Sequence, residues 1–409
     1  MRRQASVGEV SGASSSPLAP HSSPQFTALP PLSLYIHIPW CVRKCPYCDF
    51  NSHEIRGQIP EADYVDASIV DLEAALPLIW GRKIYTVFFG GGTPSVFSAA
   101  AIERILDAVR ARVPLAADAE ITLEANPGTA EAEKFRGFRD AGVNRLSLGI
   151  QSFNPRHLKA LGRIHDDREA RAAIEIACAN FDNFNLDLMY GLPRQSPEEA
   201  LADIETALSF APPHLSVYHL TIEPNTYFYR HPPALPADDS TAQMQQAIEQ
   251  KLASAGYRHY ETSAFVQPGK QSRHNLNYWT FGDYLGIGAG AHSKLSLPGR
   301  ILRQARHKQP RQYMELAMAG NAIQEQHDVA ASDIGFEFMM NALRLDSGFP
   351  VALFEERAGL PLTAVLKPLE EAEQRGFITR DHQRVAPTEL GRRFLNDLLQ
   401  VFLPEEQRI

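Results

Sequence analysis

Cysteine is scarce in this chain: there are four in 409 residues, and three of them, Cys41, Cys45 and Cys48, fall within eight positions. That distribution excludes a secreted scaffold held by spaced disulfides, and a reducing compartment such as the cytoplasm fits better. Long apolar runs are also missing. None approaches the roughly 18 consecutive residues that a membrane-spanning helix needs, so no transmembrane anchor is expected. There is no excess of positive charge either. The 40 Lys and Arg face 48 Asp and Glu, a formal net charge of −8, which removes the basic footprint of a nucleic-acid binder. The segment 1–30 is rich in Ser, Ala and Pro but lacks the apolar core of a secretory signal. It reads as a disordered tail that cannot bury enough apolar surface to order itself, with an organellar transit peptide as the alternative.

What remains is an ordinary globular composition, 44% hydrophobic, long enough for one large domain and a smaller one. Short β-rich runs, "SLYIHI", "IYTVFF", "EITLEA", "RLSLGI", "FNLDLM" and "LSVYHL", alternate with amphipathic stretches whose apolar residues recur at three and four positions. Strands separated by helix-length segments read as βα units around a parallel sheet. Six such units fit either an incomplete (β/α)6 barrel, TIM-like, or a doubly wound sheet. Polar residues decide between them: the cysteines follow the first strand, Gly90 to Thr93 the second, Glu124 the third and Gln151 the fourth, while Asp187 sits near the end of the fifth. A barrel gathers strand ends at one mouth, whereas an open sheet spreads them along an edge. The expected architecture is therefore an α/β incomplete barrel over 31–268. A Gly- and aromatic-rich connection follows over 269–330, with 272–293 read as an ordered loop. A mainly helical, winged-helix-like domain completes the chain over 331–409. Acidic side chains outnumber basic ones in that last domain, which argues against DNA binding.

The cysteine spacing C-x3-C-x2-C can be weighed on its own. Structural zinc usually takes two ligand pairs, and no distal pair is apparent here. A thioredoxin-like redox pair would not need Cys41. A [4Fe–4S] cluster held by three thiolates accounts for all three cysteines and leaves one iron open for an exogenous ligand. With "CVRKCPYC" in a loop after a strand, the chain resembles the radical S-adenosylmethionine (SAM) superfamily. There, SAM chelates the open iron and is cleaved to a 5′-deoxyadenosyl radical. The resemblance implies metal ligands Cys41, Cys45 and Cys48, with Gly91, Gly92 and Thr93 of "FFGGGTPS" at the amino end of SAM. It further assigns Glu124, Gln151, Arg163, Asp187 and Tyr35 to SAM contacts. Taken singly, each of these would read as a structural or solvated residue, and the glycines as a generic strand-to-helix turn.

"YIHIPWCVRKCPYCDF" resembles the branch that holds oxygen-independent coproporphyrinogen III dehydrogenase and the HemW heme chaperone family. The decarboxylating enzymes carry a further cysteine two positions after the third, where this chain has Phe50. That departure sides with the chaperones. So does "HNLNYW" at 274–279, which fits their H-N-x-x-Y-W signature and implies heme contacts for His274, Asn275, Tyr278 and Trp279. Read from the residues alone, this segment is a hydrogen-bonded turn packed by its aromatics.

The resemblance thus implies a heme chaperone binding [4Fe–4S], SAM and heme, with a heme-accepting partner for which a membrane respiratory enzyme is a candidate. It allows a homodimer and peripheral contact with a membrane. The alternatives are the coproporphyrinogen-decarboxylating enzyme and a radical SAM enzyme with another substrate. His37 and His219 read as core or barrel-interior residues, Cys178 as a buried small hydrophobe, and His292 as either ligand-facing or part of a tight turn.

Overall fold

The computed structural model describes residues 23–129 and 132–403; most of the tail assigned above lies outside them. Six parallel strands follow one another in the sheet: β1 (Leu32–Ile38), β2 (Ile84–Gly91), β3 (Leu115–Ala125), β4 (Arg145–Gln151), β5 (Phe184–Tyr190) and β6 (His214–His219). Apart from the exposed start of β3, their residues are largely buried, as in a sheet covered on both faces. Helices close the crossovers: α1 (Glu61–Ala75), α2 (Ala99–Arg112), α3 (Ala132–Ala141), α4 (Asp167–Asn180) and α5 (Pro197–Leu208), and α6 (Asp238–Ser254) follows the sixth strand and packs against α5.

Their starts are written locally. Asp166 and Glu169 form a capping box on α4, and Ser196 and Glu199 form another on α5, with Pro197 at the first turn. On α2, Ile102, Ile105, Leu106 and Val109 form the stripe that packs into the core under the sheet.

The sheet does not stop at six strands. Beyond β6 come the antiparallel strands β7 (Arg258–Glu261) and β8 (Ala264–Val266), with β8 against β6. On the other side of β1 lies β9 (Asp283–Ile287), also parallel, followed by an antiparallel meander of β10 (His292–Leu297), β11 (Arg300–Arg306) and β12 (Ile323–Asp328). The result is a twelve-stranded mixed sheet.

The loop expected over 272–293 is therefore corrected to a helix, α7 (Arg273–Trp279), and the strand β9. Ser272 Oγ accepts from the Asn275 N–H (3.3 Å). The Glu120 carboxylate, on β3, accepts from the N–H groups of Arg273 and His274 (3.2 and 3.0 Å). An acid at a helix start offsets the unpaired amides there. Asp283 at the start of β9 is fully buried yet satisfied by Arg82 (2.8 Å), Lys294 (3.1 Å) and Ser296 (2.9 Å). None of these partners is adjacent in sequence.

The C-terminal region has its own core. Helices α8 (Ala331–Ala342), α9 (Val351–Ala358) and α10 (Leu366–Gln374) pack with a small antiparallel sheet of Phe349–Pro350, Ile378–Arg380 and Arg384–Pro387. Phe338 lies at its centre, edge-on to Phe349 and Phe354 and to Phe281 from the meander side (5.0, 5.0 and 5.7 Å). Gly359 ends α9 in the left-handed region (φ +68°), a conformation glycine adopts without steric cost. Among the described residues, no helix is long and apolar enough to cross a membrane.

Candidate functional site: a cysteine loop between two cavities

Parallel strands point their C-terminal ends the same way, and the cysteine loop leaves the first of them. Trp40–Cys41 pairs briefly with His53–Glu54, so the chain from Cys41 to Ser52 forms a closed excursion. Lys44 Nζ pins that excursion by donating to the carbonyls of Phe50 and Ser52 (3.1 Å each). All three thiols are free. Burial pushes the Cys41 thiol up to about 11 against an opposing hydrogen bond from Thr93, and burial also raises Cys48. Ligation requires thiolates, so a metal held by these cysteines would displace protons on binding. Among the described residues no set of three His, Cys, Asp or Glu side chains converges on a single ion. Three thiolates that serve three separate irons need no such convergence. Cys178 stands apart on α4 and is exposed, not buried as expected.

A cavity of about 300 Å³ opens beside the loop, lined by all three cysteines and by the ends of β2 to β6. The sheet is thus curved enough for Gly91, Glu124, Asp187 and Tyr218 to share one wall space, as a barrel mouth requires. A Cβ on Gly92 would sit 2.5 Å from the Trp40 carbonyl oxygen, so that turn admits only glycine. Gly91 (φ +117°) donates its N–H to Glu124 Oε2 (3.2 Å). Burial first, and Asp187 second, raise the Glu124 carboxyl to about 8. Burial also raises Asp187, which accepts from Ser147 Oγ (3.0 Å) and Asn185 Nδ2 (2.8 Å).

Gln151 turns off β4 with φ +68°, an uncommon conformation for a side-chain-bearing residue, and lines the cavity. Arg163 donates through Nη2 to the Gly149 carbonyl (2.6 Å) and approaches Cys45 Sγ (3.6 Å). Its Nε is buried without a partner, as is Asn126 Oδ1. Buried orphan groups beside a cavity suit a polar ligand that completes them.

Of the residues expected around SAM, Gly91, Gly92, Thr93, Glu124, Gln151, Arg163 and Asp187 share this cavity. Tyr35 does not. Tyr47, Asn126, Ser147, Met189 and Tyr218 are also on the wall and were not anticipated. Tyr218 lies on the sixth strand, "LSVYHL", so the strand-end logic used for the first five could have found it. His219, expected in the core or the barrel interior, is exposed at the end of that strand.

Tyr35 faces a second, larger cavity of about 630 Å³ that shares Cys48, Phe50, Gly91 and Glu124 with the first. His37 is on its wall and buried. Its Nε2 donates to the Asn51 carbonyl (2.9 Å), which leaves Nδ1 to accept from the Tyr35 hydroxyl (3.0 Å). Of the HNLNYW residues only Tyr278 reaches this wall; His274, Asn275 and Trp279 line neither cavity. His274 is 1% exposed, stacked on Phe88 (4.9 Å) and edge-on to Tyr278 (5.0 Å). Its Nδ1 bonds Thr86 Oγ1 (2.8 Å), Nε2 is buried without a partner, and burial lowers its pKa to about 3. Asn277, in the same segment, donates to Ser33 Oγ (2.9 Å) and the Asp283 carbonyl (2.8 Å). Trp279 lies under the Arg344 guanidinium (4.3 Å).

Comparison with known proteins bears on this arrangement. The profile of the radical SAM superfamily matches residues 35–207, and that of the HemN C-terminal domain matches 329–394. The chain is 52% identical over 379 residues to the heme chaperone HemW of Escherichia coli, covering 92% of this chain and 99% of that protein. The heme chaperone HemW of Bacillus subtilis is 33% identical over 385 residues, covering 91% and 99%. In Bos taurus, the mitochondrial radical S-adenosyl methionine domain-containing protein 1 is 35% identical over 390 residues, covering 92% and 88%. The solved coproporphyrinogen III oxidase (HemN) of Escherichia coli superposes with a TM-score of 0.78 at 26% identity, over 91% of this chain and 90% of that one.

Proposed function

The chain belongs to the HemW heme chaperone family of the radical SAM superfamily, and from that premise we propose that it binds heme and hands it to an acceptor protein. The observation that carries this reading is identity with named heme chaperones along nearly the whole of both chains. Phe50 supports it, since the position two residues after Cys48 offers no thiol.

The three cysteines hold a [4Fe–4S] cluster, and the smaller cavity holds SAM. When bound, the pair supplies one-electron chemistry at the sulfonium. The chain's own part is positioning. Gly91 and Gly92 let the backbone approach the amino end of SAM, and Thr93 lies beside them. Arg163, whose Nε is unpartnered, would pair with a SAM carboxylate, and Glu124 and Asp187 on the same cavity would accept from its ribose hydroxyls. Tyr35 and Tyr278 border the larger cavity, where the cargo has room. Asn275 and Trp279 act through the placement of α7, and His274 contacts heme only if Phe88 and Tyr278 uncover it. The acceptor is a heme protein, a membrane respiratory enzyme being one candidate, met from the cytoplasmic side. A homodimer is compatible with this reading.

Anaerobic reconstitution followed by hemin titration, with and without SAM, tests the proposal. A saturable Soret change supports it; none at micromolar protein refutes it. The HemN-like fold favours one second reading, oxidative decarboxylation of coproporphyrinogen. Robust protoporphyrinogen formation by the reconstituted protein would establish that reading instead.

A further inference from the structure

We propose that the larger cavity seats a flat, dianionic tetrapyrrole, with its carboxylates at Lys44 and Lys308 and its iron at His292. The proposal rests on the heme-carrying reading above and gives that cargo a location.

The walls have the required chemistry. Phe50, Tyr278 and Tyr284 give the cavity aromatic surface, and Phe50 is 62% exposed on the border between the two cavities. An exposed phenyl ring held inside a cavity mouth is apolar area awaiting a partner, and a macrocycle face is a suitable one. Two cations lie on the same wall without a carboxylate partner. Lys44 donates only to backbone carbonyls, and the Lys308 side chain makes no hydrogen bond or ion pair among the described residues. Asp49 and Glu124 are on the wall as well, the latter with its carboxyl raised to about 8 by burial and by Asp187, so the cavity is not uniformly cationic.

The imidazole is chosen by elimination. Of the two histidines that line the cavity, His37 has both ring nitrogens engaged, whereas the His292 side chain has no hydrogen-bond partner among the described residues and is open to solvent. Partial desolvation by the cavity wall, then Lys308 and Arg303, lower its pKa with Glu325 opposing, which favours the neutral ring that binds iron. His274 also has an unpartnered Nε2, but it lies behind Phe88 and Tyr278.

The test titrates the full-length, anaerobically reconstituted chain with hemin and, separately, with hemin dimethyl ester, whose carboxylates are neutral. Wild type is expected to prefer hemin. Lys308→Glu should weaken hemin about tenfold while leaving the ester nearly unchanged, as expected for one charge-assisted contact. His292→Ala should retain binding but change the ligand-field spectrum of the iron. Both residues are exposed, so these variants keep the fold. If both variants bind hemin with the wild-type affinity and spectrum, and His274→Ala loses them, the location is wrong and the carrier reading stands. If wild type binds no hemin, the carrier reading falls with it.

Discussion

The cysteine loop and helix α7 each carry a motif of a few residues, yet the fold treats them in opposite ways. The loop presents its residues. Cys45 and Cys48 are partly exposed and all three cysteines line a cavity, while the pinning is done by Lys44 and backbone amides. Helix α7 turns most of its residues away from both cavities. His274 is tied to Thr86 and capped through Glu120, Asn277 is tied to Ser33, and only Tyr278 touches a cavity. A motif of reactive residue types therefore borders a cavity in one place and joins packed elements in the other. What separates them is whether the side chains border a cavity or are packed against neighbouring elements of the fold.

The contrast predicts a division of effects. Cys45→Ser should abolish the cluster, read as complete loss of its visible absorbance and of bound iron and sulfide. Hemin binding should be retained, and the melting temperature of the apoprotein should barely change. Simultaneous loss of both ligands would show that the two regions are not separable.

His274→Ala should do the reverse. It removes a buried hydrogen bond and leaves a void beside Phe88, a loss of about 2–4 kcal/mol. Urea unfolding of the apoprotein checks this, and a cost under about 0.5 kcal/mol would place His274 with the presented residues instead.

Glu124 gives a subtler handle on the presenting side. Its carboxyl, at about 8 in the fold against an ordinary 4.5, keeps a proton that the unfolded chain has already released. Between those values the folded state binds more protons, so this group makes stability fall as pH rises through the window. Glu124→Gln should flatten that slope in unfolding measured between pH 5 and about 8. An unchanged slope would mean that the carboxyl is not held protonated.

Much of this was legible in the sequence because it is local. The strands show as β-rich runs and the caps on α4 and α5 as Asp and Ser three residues before Glu. The cysteines show as a spacing. β3 begins at Leu115, earlier than its apolar core suggests, because "LAADA" carries little strand propensity. β9 was invisible for a different reason: Asp283 and Gly286 break the pattern, and the partners that satisfy Asp283, Arg82 and Lys294, are supplied by the fold. The same holds for His274, since nothing in "HNLNYW" announces that Glu120 and Thr86 will enclose it. Non-local satisfaction is where reading by motif fails.

The smallest expected effect comes from the fourth cysteine. Cys178 shares the residue type of the loop but none of its setting: it is alone on α4 and exposed, and no cavity-lining residue adjoins it in sequence. If presentation beside a cavity is what makes a cysteine functional here, Cys178→Ser should leave iron per chain, hemin affinity and stability unchanged, the last within about 0.5 kcal/mol, the usual range for a surface substitution. Iron analysis after reconstitution is the sensitive readout. A fall in iron to match that of Cys45→Ser would mean that cluster assembly draws on a fourth thiol, and the loop's three cysteines would then no longer stand apart from the rest of the chain.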